Sequence, residues 1–330
     1  MNQRALLGII AALLLIVGVL VGLLVSGGGD DDAATETEGT TTTTEAPATT
    51  EAPTTTEAAT TTTESTTTTE STTTTTTTTT EPPPPVTGVF VAAEGVLGWV
   101  TDGVLSANDA GAVPAAAGDE YRLIRPEGQT GTAAGTASEP GCFGEIPYID
   151  LGITADAWPY DFPIGVSGGW DLFPQAVEVL PTDNATYKDA TRDLLAPFGV
   201  DDPDPQLLQV IRVDLEGDGV DEVIVVAERL VSGELIGAAE GDYSVAYLRK
   251  VIEGEVQEAL LGFARVPELA PDEFGFIEVF RVPAVLDLDG DGQMEIVTQG
   301  FYYEGSWTQA WEYVNDDLGP VVAIEVGCGV

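Results

Sequence analysis

The chain contains no histidine among its 330 residues. That absence removes Ser-His-Asp and Cys-His nucleophile systems, histidine general acid–base catalysis and HExxH zinc sites. Two cysteines are too few for a cysteine-rich zinc site. Basic residues are scarce as well: 11 Lys and Arg stand against 55 Asp and Glu, a formal net charge of −44. Phosphates need Lys and Arg, so this balance argues against nucleic acid as a partner. It suits metal cations, or strong solvation alone. Lysine occurs only at Lys188 and Lys250. Chemistry carried by carboxylate, tyrosine or lysine stays open on these counts.

What is there begins with one long apolar run. Residues 5–25 read ALLGIIAALLLIVGVLVGLLV. As a helix this run spans about 30 Å, the hydrocarbon thickness of a bilayer. Arg4 precedes it and Asp30, Asp31 and Asp32 follow. The positive flank predicts a single-pass plasma-membrane anchor, residues 1–4 cytoplasmic and the C-terminal body extracytoplasmic. The rival reading is a cleaved signal peptide; the run is long for one and no A-x-A site follows. Gly18 and Gly22 form a GxxxG pair, either a dimer face or simply the glycine common in membrane helices.

Residues 26–85 form the next segment, low in complexity from residue 33 on: threonine runs with spaced Glu, ending in EPPPP. With almost no apolar bulk it cannot offset the entropy of folding. It predicts a disordered stalk on the order of 150 Å in reach, glycosylated or plain.

From residue 86 the composition turns to Val, Ile, Phe, Tyr and Trp punctuated by Gly and Asp. Segments 88–93, 120–125, 209–215, 222–228, 243–251, 276–282, 294–303, 308–314 and 321–326 read as strands rich in branched and aromatic residues. One helix is expected at about 184–196, capped by Asp183 or Asn184 and stopped by Pro197 and Gly199. Cys142 and Cys328 lie far apart in this body, the second close to its last residue. In an exported body they are expected to form a disulfide, the alternative being two buried thiols.

Two acidic stretches carry the sharpest signal. RVDLEGDGVDEVIVV covers 212–226, and VLDLDGDGQMEIV covers 285–297. With Asp214 aligned on Asp287, Glu216, Asp218 and Glu222 fall on Asp289, Asp291 and Glu295, and the glycines and apolar flanks stay in register. A match of this kind is an internal repeat. Oxygens at loop positions 1, 3 and 5, a position-7 carbonyl (Val220 or Gln293) and the acid at position 9 would give Ca²⁺ its hard oxygen shell. An EF-hand is excluded, because position 12 is Val225 or Thr298 and the flanks read as strands.

The pattern D-x-[DEN]-G-D-G-x-x-[DE] followed by an apolar strand resembles the FG-GAP and VCBS repeats of integrin α-chain β-propellers, over residues 206–330. The resemblance implies calcium held by Asp214, Glu216, Asp218, the Val220 carbonyl and Glu222. In the second copy it implies Asp287, Asp289, Asp291, the Gln293 carbonyl and Glu295. Glu216 departs from the shorter acid usual at its position. Such calcium would serve structure rather than catalysis; the rival reading is solvated acidic turns without an ion.

The expected fold is mainly β with one helix: two blade-like units (201–330) packed on an N-terminal β-subdomain (86–200), or else a small or incomplete propeller. Aromatic residues Trp158, Tyr160, Trp170, Phe301, Tyr302, Tyr303, Trp307, Trp311 and Tyr313 would either stack on sugar rings or fill the sheet core. The functional expectation is binding or adhesion to cell-wall glycan or a surface protein. The alternatives are a carboxylate-dependent glycan hydrolase and a purely structural surface protein.

Overall fold

A computed structural model describes residues 86–108, 113–114, 118–144, 146–153, 162–200, 203–312 and 319–329. The expected N-terminus, anchor and stalk (1–4, 5–25 and 26–85) lie outside them, as do Trp158, Tyr160 and Tyr313. Among the described residues no helix is long and apolar enough to cross a membrane.

The described chain is mainly β. The first strands are β1 (Thr87–Ala92), β2 (Gly95–Thr101), β3 (Val104–Ala107), β4 (Glu120–Arg125), β5 (Gly128–Ala134), β6 (Thr136–Ala137), β7 (Ile149–Asp150), β8 (Ile164–Ser167) and β9 (Glu178–Val179). Helix α1 (Ala185–Leu195) follows. Then come β10 (Gln206–Val213), β11 (Glu222–Arg229), β12 (Ile236–Ala238), β13 (Tyr243–Ile252), β14 (Glu255–Arg265) and β15 (Gly275–Phe276). The last are β16 (Val279–Leu286), β17 (Glu295–Tyr302), β18 (Gly305–Glu312) and β19 (Val321–Gly329).

Three antiparallel sheets carry the body, and none closes into a barrel. The first has the order β3-β2-β1-β8-β4-β5; the second β14-β13-β11-β10-β9; the third β16-β17-β18-β19. The acidic repeat extends into the strands: β10 matches β16 and β11 matches β17, end to end in the same alignment. Each pair closes on the same register, Val213 opposite Glu222 and Leu286 opposite Glu295.

The third sheet lies between the other two. Its Ala284, Leu286, Val297, Ala310, Ile324 and Val326 pack with Phe90, Leu97, Val100 and Ile164 of the first sheet. Its Phe280, Val282, Val285 and Ile296 pack with Ile211, Val213, Ile224 and Leu248 of the second. Strands buried on both faces need apolar residues at successive positions, and β17 (EIVTQGFY) is buried along nearly its whole length.

Helix α1 forms where expected. Asn184 caps it, its side chain accepting the Thr186 N–H at 2.9 Å. By packing it belongs to the second sheet, Leu195 meeting Leu207, Val210 and Tyr247, rather than to the segment 86–200 in which its sequence places it. Segment 276–282, expected as one strand, is split. β15 pairs with β12 while β16 joins the third sheet, because Ile277 N–H turns to the Leu235 carbonyl at 3.1 Å. Strands β2, β3, β5, β6, β7, β8, β9, β12 and β14 fall outside the expected segments; β5 and β8, GQTGTAA and IGVS, hold few branched or aromatic residues.

Cys142 and Cys328 form the expected disulfide, with Cα atoms 5.4 Å apart. It joins the turn Cys142–Gly144 to β19. Next to this seam, Glu94 in the β1–β2 turn is buried and accepts the Thr308 hydroxyl of β18 at 2.8 Å. Gln299 of β17 donates to the same hydroxyl at 3.2 Å. Burial pushes the Glu94 carboxyl above the ordinary carboxylate range, and the Ser306 and Thr308 hydrogen bonds offset part of that rise.

Candidate metal centre

Both acidic loops sit at the same place, the turn from the first to the second strand of a repeat. Their backbones fold alike. Gly217 and Gly219 have φ of 71° and 88°; Gly290 and Gly292 have 80° and 93°. These left-handed angles suit glycine and let the chain wrap inward. Asp214 accepts the N–H groups of Asp218 and Gly219 at 3.0 and 2.8 Å. Asp287 accepts those of Gly290 and Gly292 at 2.5 and 2.9 Å. The position-9 acid reaches back across each turn: Glu222 accepts Leu215 N–H at 3.0 Å, and Glu295 accepts Leu288 N–H at 2.6 Å. The loops also touch, through Met294 N–H to the Leu215 carbonyl at 2.8 Å.

The carboxylates are nevertheless arranged differently. In the second loop, oxygens of Asp287, Asp289 and Glu295 all lie within 4.8 Å of one another, a group that could hold a metal ion. Asp287 and Glu295 are buried. Asp291 stands beside them, accepting Gln293 N–H at 2.7 Å. Burial is the main cause that raises all three carboxyls of the group above their ordinary values, with the neighbouring acids adding to it: Asp287 and Glu295 upward, Asp289 to about 6. The loop is braced from outside. Trp170 donates its indole N–H to the Asp287 carbonyl at 2.9 Å, and Asp287 N–H bonds to the Leu172 carbonyl at 3.0 Å. Val86 packs so closely on Gly290 that an added Cβ would lie 2.4 Å from its methyl.

The first loop does not gather its acids in this way. Glu216 forms an ion pair with Lys250 of β13, and both are largely withdrawn from solvent. Asp214 and Asp218 are turned onto loop N–H groups. Burial pushes Glu222 up to about 7, while the Leu215 N–H and the Lys250 ammonium pull the other way. Val220 stands exposed at the loop's tip.

The aromatic residues divide. Trp307 and Trp311 pack against the core between the second and third sheets. Their indoles donate to Glu278 and to Thr298 respectively. Phe301 is buried, and Trp170 packs edge-on to Phe90. Only Tyr303 is exposed among those singled out from the sequence and described; it meets exposed Phe276 at 5.9 Å between ring centroids. A groove of about 710 Å³ runs along β19, lined by Trp307, Gln309, Glu325, Asn108 and Ile324, among others. Sequence reasoning missed it, because Asn108 and β19 meet only when the first sheet packs on the third. Comparison with protein-family models, with curated proteins and with solved structures returns no match to the chain.

Proposed function

We propose that this chain is a calcium-stabilised binding domain displayed outside the plasma membrane, carried on a Thr-rich stalk by the apolar segment 5–25. The observation that carries the calcium reading is the mutual closeness of Asp287, Asp289 and Glu295 in a glycine-wrapped turn. Asp291 and the Gln293 carbonyl complete the proposed ligand set, which resembles that of FG-GAP and VCBS loops. A hard cation would relieve the repulsion of these acids, and calcium accepts six to eight such oxygens. The ion's role is to hold the turn against Trp170 and Leu172. The full chain should melt higher in calcium than in chelator, and Asp287→Asn with Asp291→Asn should remove most of that difference. An unchanged melting temperature on chelation would sink the calcium reading.

The groove along β19 supports a glycan partner. Its lining brings together Asn108, Gln309, Glu325 and Trp307, with Gln309 donating to Glu325 at 3.0 Å; hydroxyl-rich ligands match such paired amide and carboxylate groups. Its volume lies in the range of small-ligand sites. Incubated with purified cell-wall glycan, the chain should be retained without new reducing ends, and Gln309→Ala with Glu325→Ala should weaken retention. Release of reducing ends would favour the hydrolase reading instead.

A further inference from the structure

The two loops share backbone, glycines and position-9 acid, yet opposite charges face them. β11 pairs with β13 so that Val223 lies opposite Arg249, and the next residue of β13, Lys250, acts by its charge on Glu222 of the first loop. β17 pairs with β18 so that Ile296 lies opposite Trp311, and the next residue of β18, Glu312, acts by its charge on Asp289 of the second loop. Val223 and Ile296 are equivalent under the internal repeat, so Lys250 and Glu312 occupy the same place beside their loops. Lys250 is only 7% exposed and is paired with Glu216. Glu312 adds its negative charge to Asp289.

We propose that the first loop carries its own cation, the Lys250 ammonium, in place of a metal, and that the chain therefore binds calcium at the second loop alone. A buried ammonium has a large desolvation penalty unless acids surround it. Glu216 and Glu222 supply them, and the longer reach of Glu216, against Asp289 at the equivalent position, lets its carboxylate meet a side chain arriving from β13. An ammonium so placed repels a divalent ion entering the same turn. The second loop has an acid where the first has this base, so its charge is left for an external cation to neutralise. For the second loop this inference rests on the calcium reading above; the claim for Lys250 is tested without metal.

In chelator, Lys250→Met should lower the melting temperature of the full chain, while Lys250→Arg retains most of it. Unchanged melting of Lys250→Met in chelator overturns the inference whether or not calcium binds. Calorimetric titration of the native chain with calcium chloride should give one ion per chain. Asp287→Asn with Asp291→Asn should abolish this binding, and Asp214→Asn with Asp218→Asn should leave it in place. Two ions per native chain, or loss of the single ion in the first-loop variant, overturns the inference. Glu312→Lys, which copies the first loop's arrangement into the second, should weaken calcium by about tenfold or more; undiminished affinity overturns it. A native chain that binds no calcium while Lys250→Met still melts lower in chelator rejects the calcium reading and keeps the ammonium's role.

Discussion

Asp289 is a carboxylate whose surroundings oppose its charge. Burial first, and then Asp291 and Asp287, raise it from 3.8 to about 6 in the folded chain. A carboxyl raised on folding binds its proton more tightly in the native state, so metal-free stability falls as pH rises between those two values. Its contribution is fully present below the unfolded value and lost by the time pH passes the folded one. In the calcium reading proposed above, a bound ion would supply the missing countercharge. The melting difference between calcium and chelator should therefore be small near pH 4 and grow through pH 6, and a difference that shrinks over that range would contradict the ligand assignment. The acids themselves were legible from sequence, since position and glycine spacing name them. The countercharge was not. The path from Glu222 to Lys250 is longer than that from Glu295 to Glu312, because β12 and its flanking turns lengthen one connection while only Tyr303 and Glu304 close the other. No fixed spacing reveals their equivalence; only the strand register does.

Strands of the two repeats could be read because their apolar residues run nearly unbroken. QLLQVIRV and VFRVPAVL, or EVIVVAER and EIVTQGFY, are the sequences of strands covered over most of their length. Helix α1 was legible from its cap and its stop. The first sheet was harder, since Gly98 in β2 and Gly165 in β8 are there for close approach: a Cβ on Gly98 would lie 2.5 Å from the Ser106 carbonyl oxygen. That sheet also hides an element-level contact. Glu94 crosses to β18 through Thr308, and its second oxygen and the Gln299 side-chain oxygen find no partner among the described residues. Glu94 is held above the ordinary carboxylate range chiefly by burial, so its cost to stability increases as pH rises from about 4.5. Glu94→Gln keeps the shape without the charge. The variant should melt with a weaker pH dependence than the native chain, gaining relative to it above neutrality; parallel melting curves from pH 4 to 8 would show that Glu94 is not the group responsible.

Across the whole body, the disulfide bridges a sequence separation of 186 between the turn that follows β6 and the last strand. In the chain-entropy model a bridge of that span stabilises by on the order of 5 kcal/mol. Cys142→Ser with Cys328→Ser should lower the melting temperature and speed hydrogen exchange in β19 and β18 before β11; uniform exchange across all three would argue against the bridge as a local clamp. By itself the sequence determined that the body is β-rich and that it repeats internally with an acidic turn in each copy; the cysteine pairing was an expectation that the structure meets. Those two properties follow from local periodicity and loop chemistry, which act over a short stretch of chain at a time. The tertiary structure alone decided that the third sheet lies between the other two, that Trp170 and Val86 brace one acidic loop, and that a lysine faces one loop where a glutamate faces the other. Each of these depends on which strands become neighbours, and neighbours far apart in the chain are chosen by the burial of whole sheet faces.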